Sequence, residues 1–261
     1  PAVHPLVVQH RTDVYEGLAW ANELALRGHL VLVHDAFAFG SRRLSLADVP
    51  PVLHGAMKSD ADDSPAGVAA YHDWAADHEH VMAKSLFSAG TTWPGVFASE
   101  DRVALDVLCA RPDVDPARVG CGGLSGGGLR TVFLAGLDDR IRCTVCVGMM
   151  TTWRDYLLHK SYTHTWMCYV PLLPRDLDYP EILGLRAPLP TLVLNTRDDP
   201  FFTHSEMERA EAILGRVYAS SGQPEKFRCS WNPGDHQFNR AMQTEAFGWF
   251  DRWLKNDAGS R

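Results

Sequence analysis

The stretch that most constrains this chain is Val119-Gly120-Cys121-Gly122-Gly123-Leu124-Ser125-Gly126-Gly127-Gly128. A short apolar run, Arg118 to Cys121, leads into it, and Leu129 to Ala135 reads as a helix leaving it. Strand, tight turn and helix form the context that a G-x-S-x-G nucleophile elbow requires. Gly123-Leu124-Ser125-Gly126-Gly127 fits that pattern. The reason is steric: a serine on so sharp a turn has strained backbone geometry, and its neighbours must lack side chains for strand and helix to approach. N–H groups at the start of the helix then face developing negative charge. Gly-rich loops before helices also cradle phosphates. A P-loop needs Gly-Lys-Ser/Thr after the glycines, however, and Arg130-Thr131 lacks that spacing. A dinucleotide-binding G-x-G-x-x-G belongs near a first strand rather than in mid-chain.

At 261 residues the chain is long enough for one large α/β domain with a substantial core. Its 46% apolar content excludes a disordered protein. Net charge is -7 with acids and bases interspersed, which argues against a nucleic-acid surface. No apolar run reaches membrane-span length, and no charged-then-apolar leader is present, so a cytoplasmic protein is expected. The first residue is Pro1, which is compatible with a fragment or a processed chain. The six cysteines, at 109, 121, 143, 146, 168 and 229, read as buried free thiols.

In chain order, Val14 to Arg27 has helical spacing and ends at Gly28. His29 to Asp35 reads as a buried strand whose C-terminal loop would lie at the ligand-binding edge of a parallel sheet. Residues 45–65 read as loop, and Ala66 to Ser88 as a helix carrying His72, His78 and His80. These histidines lack metal-site spacing and are expected as surface or capping residues. Gly95 to Ala110 is another helix, and Arg140 to Met149 a strand. Residues 151–187 mix aromatics, histidines and prolines, and are expected as a small helical or irregular cap whose aromatics shape a substrate pocket. Pro190 to Asn195 and Lys226 to Trp231 read as strands, Ser205 to Ser220 and Arg240 to Leu254 as helices. No repeat or domain linker appears, so a single domain is expected.

An acid after one strand and a histidine after the next, both downstream of the serine, give the order Ser, Asp, His. Ser125 needs His236 to take its proton, and a carboxylate must orient the imidazole and stabilise the imidazolium. Asp199, before Pro200-Phe201-Phe202, suits the acid turn; Asp198 is the alternative, and Asp235 is expected to support the histidine loop.

The chain resembles the acetyl xylan esterase and dienelactone hydrolase-related branch of the α/β-hydrolase superfamily. The resemblance runs from about residue 14 to the C-terminus. It rests on Arg111-Pro112-Asp113-Val114-Asp115-Pro116-Ala117-Arg118-Val119-Gly120, on Gly122 to Gly128 and on Leu137-Asp138-Asp139-Arg140-Ile141. The Asp199-Pro200 turn, Pro233-Gly234-Asp235-His236 and Trp249-Phe250-Asp251-Arg252-Trp253-Leu254 add to it. It implies an α/β-hydrolase fold, a mostly parallel sheet flanked by helices, and a cofactor- and metal-independent hydrolase of short acyl esters, acetylated sugars among them. The roles carried over are nucleophile Ser125, acid Asp199, base His236 and, for half of the oxyanion hole, the Gly126 N–H. The partner implied is a small-molecule ester, with neither nucleic acid nor membrane; a homo-oligomer is compatible. Relatives usually carry a His-Gly-Gly-like loop upstream of the first long helix, and none precedes Val14. Main-chain N–H groups near Phe37 to Gly40 are a candidate substitute. The rival readings are an oligopeptidase-like amidase and a hydrolase-fold binding protein without catalysis.

Overall fold

The computed structural model describes residues 4–55, 57 and 59–255. Four strands, β1 (Val119–Leu124), β2 (Ile141–Val147), β3 (Thr191–Thr196) and β4 (Phe227–Asn232), form one sheet in the order β1-β2-β3-β4. Every pair is parallel, with Leu124 opposite Val147, Val147 opposite Leu194, and Thr196 opposite Asn232. β2 and β3 are central and almost wholly buried, which is why they read as near-continuous apolar runs.

Helices cover both faces. On one lie α4 (Trp93–Cys109), α5 (Gly126–Leu137), α6 (Tyr179–Gly184) and α7 (His204–Ser220), packed through Leu129, Val132, Ile182 and Leu214. On the other lie α2 (Trp20–Leu26) and α8 (Arg240–Phe250), packed through Leu24, Met242, Phe247 and Phe250. The remaining helices are α1 (Pro5–Tyr15) and α3 (Pro65–Ser88). Their starts are conventional: Ser64, Thr92 and Asn239 cap α3, α4 and α8 by accepting from the N–H groups of Gly67, Gly95 and Met242. An α/β-hydrolase architecture therefore forms, as expected, with all four strands ending at one edge. No helix among the described residues is long and apolar enough to cross a membrane.

Three expectations change. The helix read over Val14–Arg27 is two helices, α1 and α2, because Glu16 and Gly17 take left-handed backbone and break the path. His29–Asp35 forms no strand, and Leu30, Leu32 and Val33 are exposed instead of buried. Among the described residues, its apolar run has no backbone hydrogen-bonding neighbour. In residues 151–187, Trp153, Tyr156 and Tyr179 point into the domain core instead of lining a pocket, with Trp153 and Tyr179 stacked at 4.2 Å. Tyr162 and Trp166 remain exposed.

All six cysteines are free thiols. Burial pushes the Cys121 thiol up to about 11, and drives Cys143, Cys146 and Cys229 higher still. His78 stacks on Trp74 and its Nδ1 donates to the Trp74 carbonyl at 2.7 Å, a helix-surface role rather than a ligand's.

Candidate active site

Ser125 sits between β1 and α5 with φ 57° and ψ -116°, a conformation that side-chain-bearing residues rarely adopt. The surrounding structure holds it there. The Ser125 N–H donates to the Val147 carbonyl at 2.9 Å, extending the β1–β2 ladder by one step. A Cβ on Gly123 would stand 2.7 Å from the Gly127 backbone, and one on Gly128 would stand 2.6 Å from Met149 Cβ. Glycine at these two positions lets α5 leave the strand so abruptly. Gly126 and Gly127 have open space around them, so their lack of a side chain serves access rather than packing.

Each following strand adds one piece at the same edge. β2 leads into Gly148, with φ 53°. A Cβ there would lie 3.1 Å from His236 Cε1, so the imidazole rests on the residue beside Ser125 in the sheet. β3 leads to Asp199, whose side chain is fully buried. Its Oδ1 accepts from the Phe201 N–H at 3.0 Å, and its Oδ2 accepts from His236 Nδ1 at 2.7 Å. β4 leads to the His236 loop. With Nδ1 donating to Asp199, the neutral ring presents Nε2 as an acceptor. Among the described residues, no hydrogen bond joins the Ser125 hydroxyl to His236. Such contacts commonly tighten only when substrate is bound.

The structure separates the candidate acids. Asp198 is exposed and pins the histidine loop instead, its N–H donating to the Gly234 carbonyl at 3.1 Å and its Oδ2 accepting from the Gly234 N–H at 3.3 Å. Asp235 is exposed to solvent. The loop offered as a substitute oxyanion donor fares worse. The Phe37 N–H is taken by the Glu100 carboxylate and the Phe39 N–H by the Ala36 carbonyl. The Gly126 N–H stands at the first position of α5, beside Ser125, as the elbow requires.

Sequence reasoning misses four neighbours. Gly148 follows a strand as many glycines do, with nothing local to mark it. Lys160 Nζ and His164 Nε2 reach from the 151–187 segment to donate to the carbonyls of Pro200 and Phe201, each at 2.9 Å. Burial pulls the His164 pKa below its ordinary value. Phe201, 42% exposed, sets its ring edge-on to His236 at 4.9 Å. The segment thus clamps the turn that carries Asp199.

No family model matches the chain. Among curated proteins it is 30% identical over 245 residues to "Putative hydrolase YtaP" of Bacillus subtilis (strain 168), covering 93% of this chain and 71% of that one. Among solved structures it is similar to a "putative acetyl xylan esterase" of Bacteroides fragilis, with a TM-score of 0.59 and 16% identity over 82% of this chain and 49% of that one. A glucuronoyl esterase catalytic domain from Hypocrea jecorina gives a TM-score of 0.52 and 16% identity, over 62% of this chain and 52% of that one. The chain spans about half the length of these two solved structures. The chain has the α/β-hydrolase fold and belongs to the family of the "Putative hydrolase YtaP".

Proposed function

We propose that the chain is a serine carboxylic-ester hydrolase acting on short-chain acyl esters, with acetylated carbohydrates as the natural class. The observation that carries this reading is the buried Asp199 carboxylate holding His236 against Gly148, one strand position from the strained Ser125. In this mechanism His236 Nε2 takes the Ser125 hydroxyl proton as Oγ attacks the ester carbonyl, and Asp199 stabilises the imidazolium that forms. The Gly126 N–H at the head of α5 faces the oxyanion. Collapse of the tetrahedral intermediate expels the alcohol, protonated by His236, and leaves an acyl group on Ser125. Water, activated by the same imidazole, then releases the acid. The exposed Phe201 ring beside His236 is an apolar wall suited to a small acyl or sugar ring. The carbohydrate-esterase names among the fold neighbours favour the substrate class.

The test is hydrolysis of p-nitrophenyl esters from acetate to octanoate by wild type and Ser125→Ala. The expected result is turnover highest on acetate and reduced about 10⁶-fold by the substitution. Equal rates in both proteins, with no labelling of Ser125 by a fluorophosphonate, would favour a binding protein on a hydrolase scaffold. Faster release from amides than from matched esters would favour the amidase.

A further inference from the structure

Phe201 touches both members of the acid–base pair at once. Its N–H donates to Asp199 Oδ1 at 3.0 Å, and its ring stands edge-on to His236 at 4.9 Å. The ring is exposed, so packing alone does not fix this residue. Its main chain is held instead, on both sides. The peptide that carries the Phe201 N–H has the Pro200 carbonyl at its other end, and that carbonyl accepts from Lys160 Nζ at 2.9 Å. The next peptide presents the Phe201 carbonyl, which accepts from His164 Nε2, also at 2.9 Å. Beyond the turn, the Thr203 N–H donates to the buried Asp155 carboxylate at 2.9 Å.

His164 is itself built into place. Its ring lies edge-on to the buried Tyr156 at 4.3 Å and stacks on Phe202 at 5.4 Å. On its N-terminal side the Thr163 hydroxyl donates to the Lys160 carbonyl at 2.9 Å. On its C-terminal side the Glu79 carboxylate, from α3, accepts from the Thr165 hydroxyl at 2.8 Å and the Trp166 N–H at 3.0 Å. The donor is therefore preorganised by neighbours that do no chemistry. A carbonyl can only accept, so Nε2 is the nitrogen that carries the proton. Burial pulls the His164 pKa below its ordinary value, which favours the neutral ring.

We propose that His164 is a positioning residue: by holding the Phe201 carbonyl it fixes residue 201, so that the Phe201 N–H stays on Asp199 Oδ1 and Oδ2 is left aimed at His236 Nδ1. Asp199 then presents its two oxygens to two different donors, and neither can swing toward the other's place. Without the His164 bond, residue 201 turns more freely and the acid's second oxygen loses its fixed direction. His236 then holds its proton on Nδ1 for a smaller share of the time, and the Nε2 acceptor that Ser125 needs is present less often.

The experiment compares four full-length proteins. His164→Phe keeps an aromatic ring against Tyr156 and Phe202 but has no donor. His164→Asn has a donor one bond too short to reach the carbonyl, and His164→Gln restores one at the reach of Nε2. Long-range proton–nitrogen spectra of histidine-labelled protein at mildly alkaline pH report which ring nitrogen of His236 is protonated, with His236→Gln identifying its signals. The ratio of the Nδ1–H to the Nε2–H form is expected to fall about three- to tenfold in His164→Phe and His164→Asn, the size of one lost hydrogen bond, and to stay at the wild-type value in His164→Gln. On p-nitrophenyl acetate kcat is expected to fall by the same factor in the two donor-free variants, with KM unchanged. A wild-type ratio in His164→Phe and His164→Asn overturns the proposal, whatever their kcat or melting midpoint. Equal loss in all three variants assigns the effect to the ring and overturns it too. The kinetic arm rests on the esterase reading, but the spectra need no turnover. A wild type that hydrolyses no ester while the ratio responds as expected refutes the esterase and supports the positioning.

Discussion

Gly148→Ala tests the position of His236 without touching a group that does chemistry. Two costs act on it, and they are separable. The φ of 53° places the new side chain in the left-handed region, which costs about 1–2 kcal/mol. In a chain of this size that lowers the melting midpoint by roughly 2–8 °C. The new Cβ would also stand 3.0 Å from Leu124 Cδ1 and 3.1 Å from His236 Cε1. The leucine methyl can rotate away, but the imidazole is held by Asp199 at 2.7 Å and has little freedom. A ring displaced by about 0.3–0.5 Å loses roughly four- to tenfold in rate, scaling from about a hundredfold per ångström of misplacement. Gly90→Ala is the control, with φ 81° and nothing within 4 Å of its Cβ. The assay is kcat/KM on p-nitrophenyl acetate beside a thermal melt. Both variants are expected to melt lower, and only Gly148→Ala to turn over more slowly. Equal turnover in both would refute the idea that His236 works from its place against Gly148.

Asp199→Asn is expected to keep the fold and lower kcat/KM about 10⁴-fold, because an amide cannot stabilise the imidazolium; Asp198→Asn, on an exposed loop clasp, is expected to cost less than tenfold. The elbow glycines divide by their surroundings: Gly123→Ala meets the Gly127 backbone at 2.7 Å and is expected to lose about 1–3 kcal/mol in urea unfolding. Gly126→Ala, with open space around it, is expected to change stability by less than about 0.5 kcal/mol. For His164, burial lowers the folded-state pKa, so between that value and the ordinary one of about 6.5 the unfolded chain holds more protons. Stability contributed there is full above about pH 6.5 and falls as pH drops through the window. The urea midpoint is expected to fall between pH 7 and pH 5 more steeply in wild type than in His164→Asn.

The reach of sequence reasoning was set by how local each signal is. Ser125 is legible because the glycines around it are demanded by the turn itself, and two of them make the close approaches that the motif implies. β2 and β3 are legible because both faces of the sheet are covered there, so each reads as a compact apolar run. Asp199 was preferred to Asp198 on one local signal, the Pro200-Phe201-Phe202 that follows it; the structure divides them by which one accepts from His236 Nδ1 and which clasps Gly234. His29–Asp35 failed for a related reason: an apolar run specifies a strand only if an edge is there to receive it. Lys160, His164 and Gly148 were invisible because each acts through a neighbour distant in sequence.

The sheet order has a bearing on how the chain comes into being. Each strand pairs with the strand made just before it, so the sheet can grow in step with synthesis, β1 first and β4 last. The residues that hold the strained serine turn, through Met149, are thus made 87 residues (236 − 149) before His236. In the proposed mechanism the loop after the last strand supplies the base, so Ser125 has no proton acceptor until residue 236 is made.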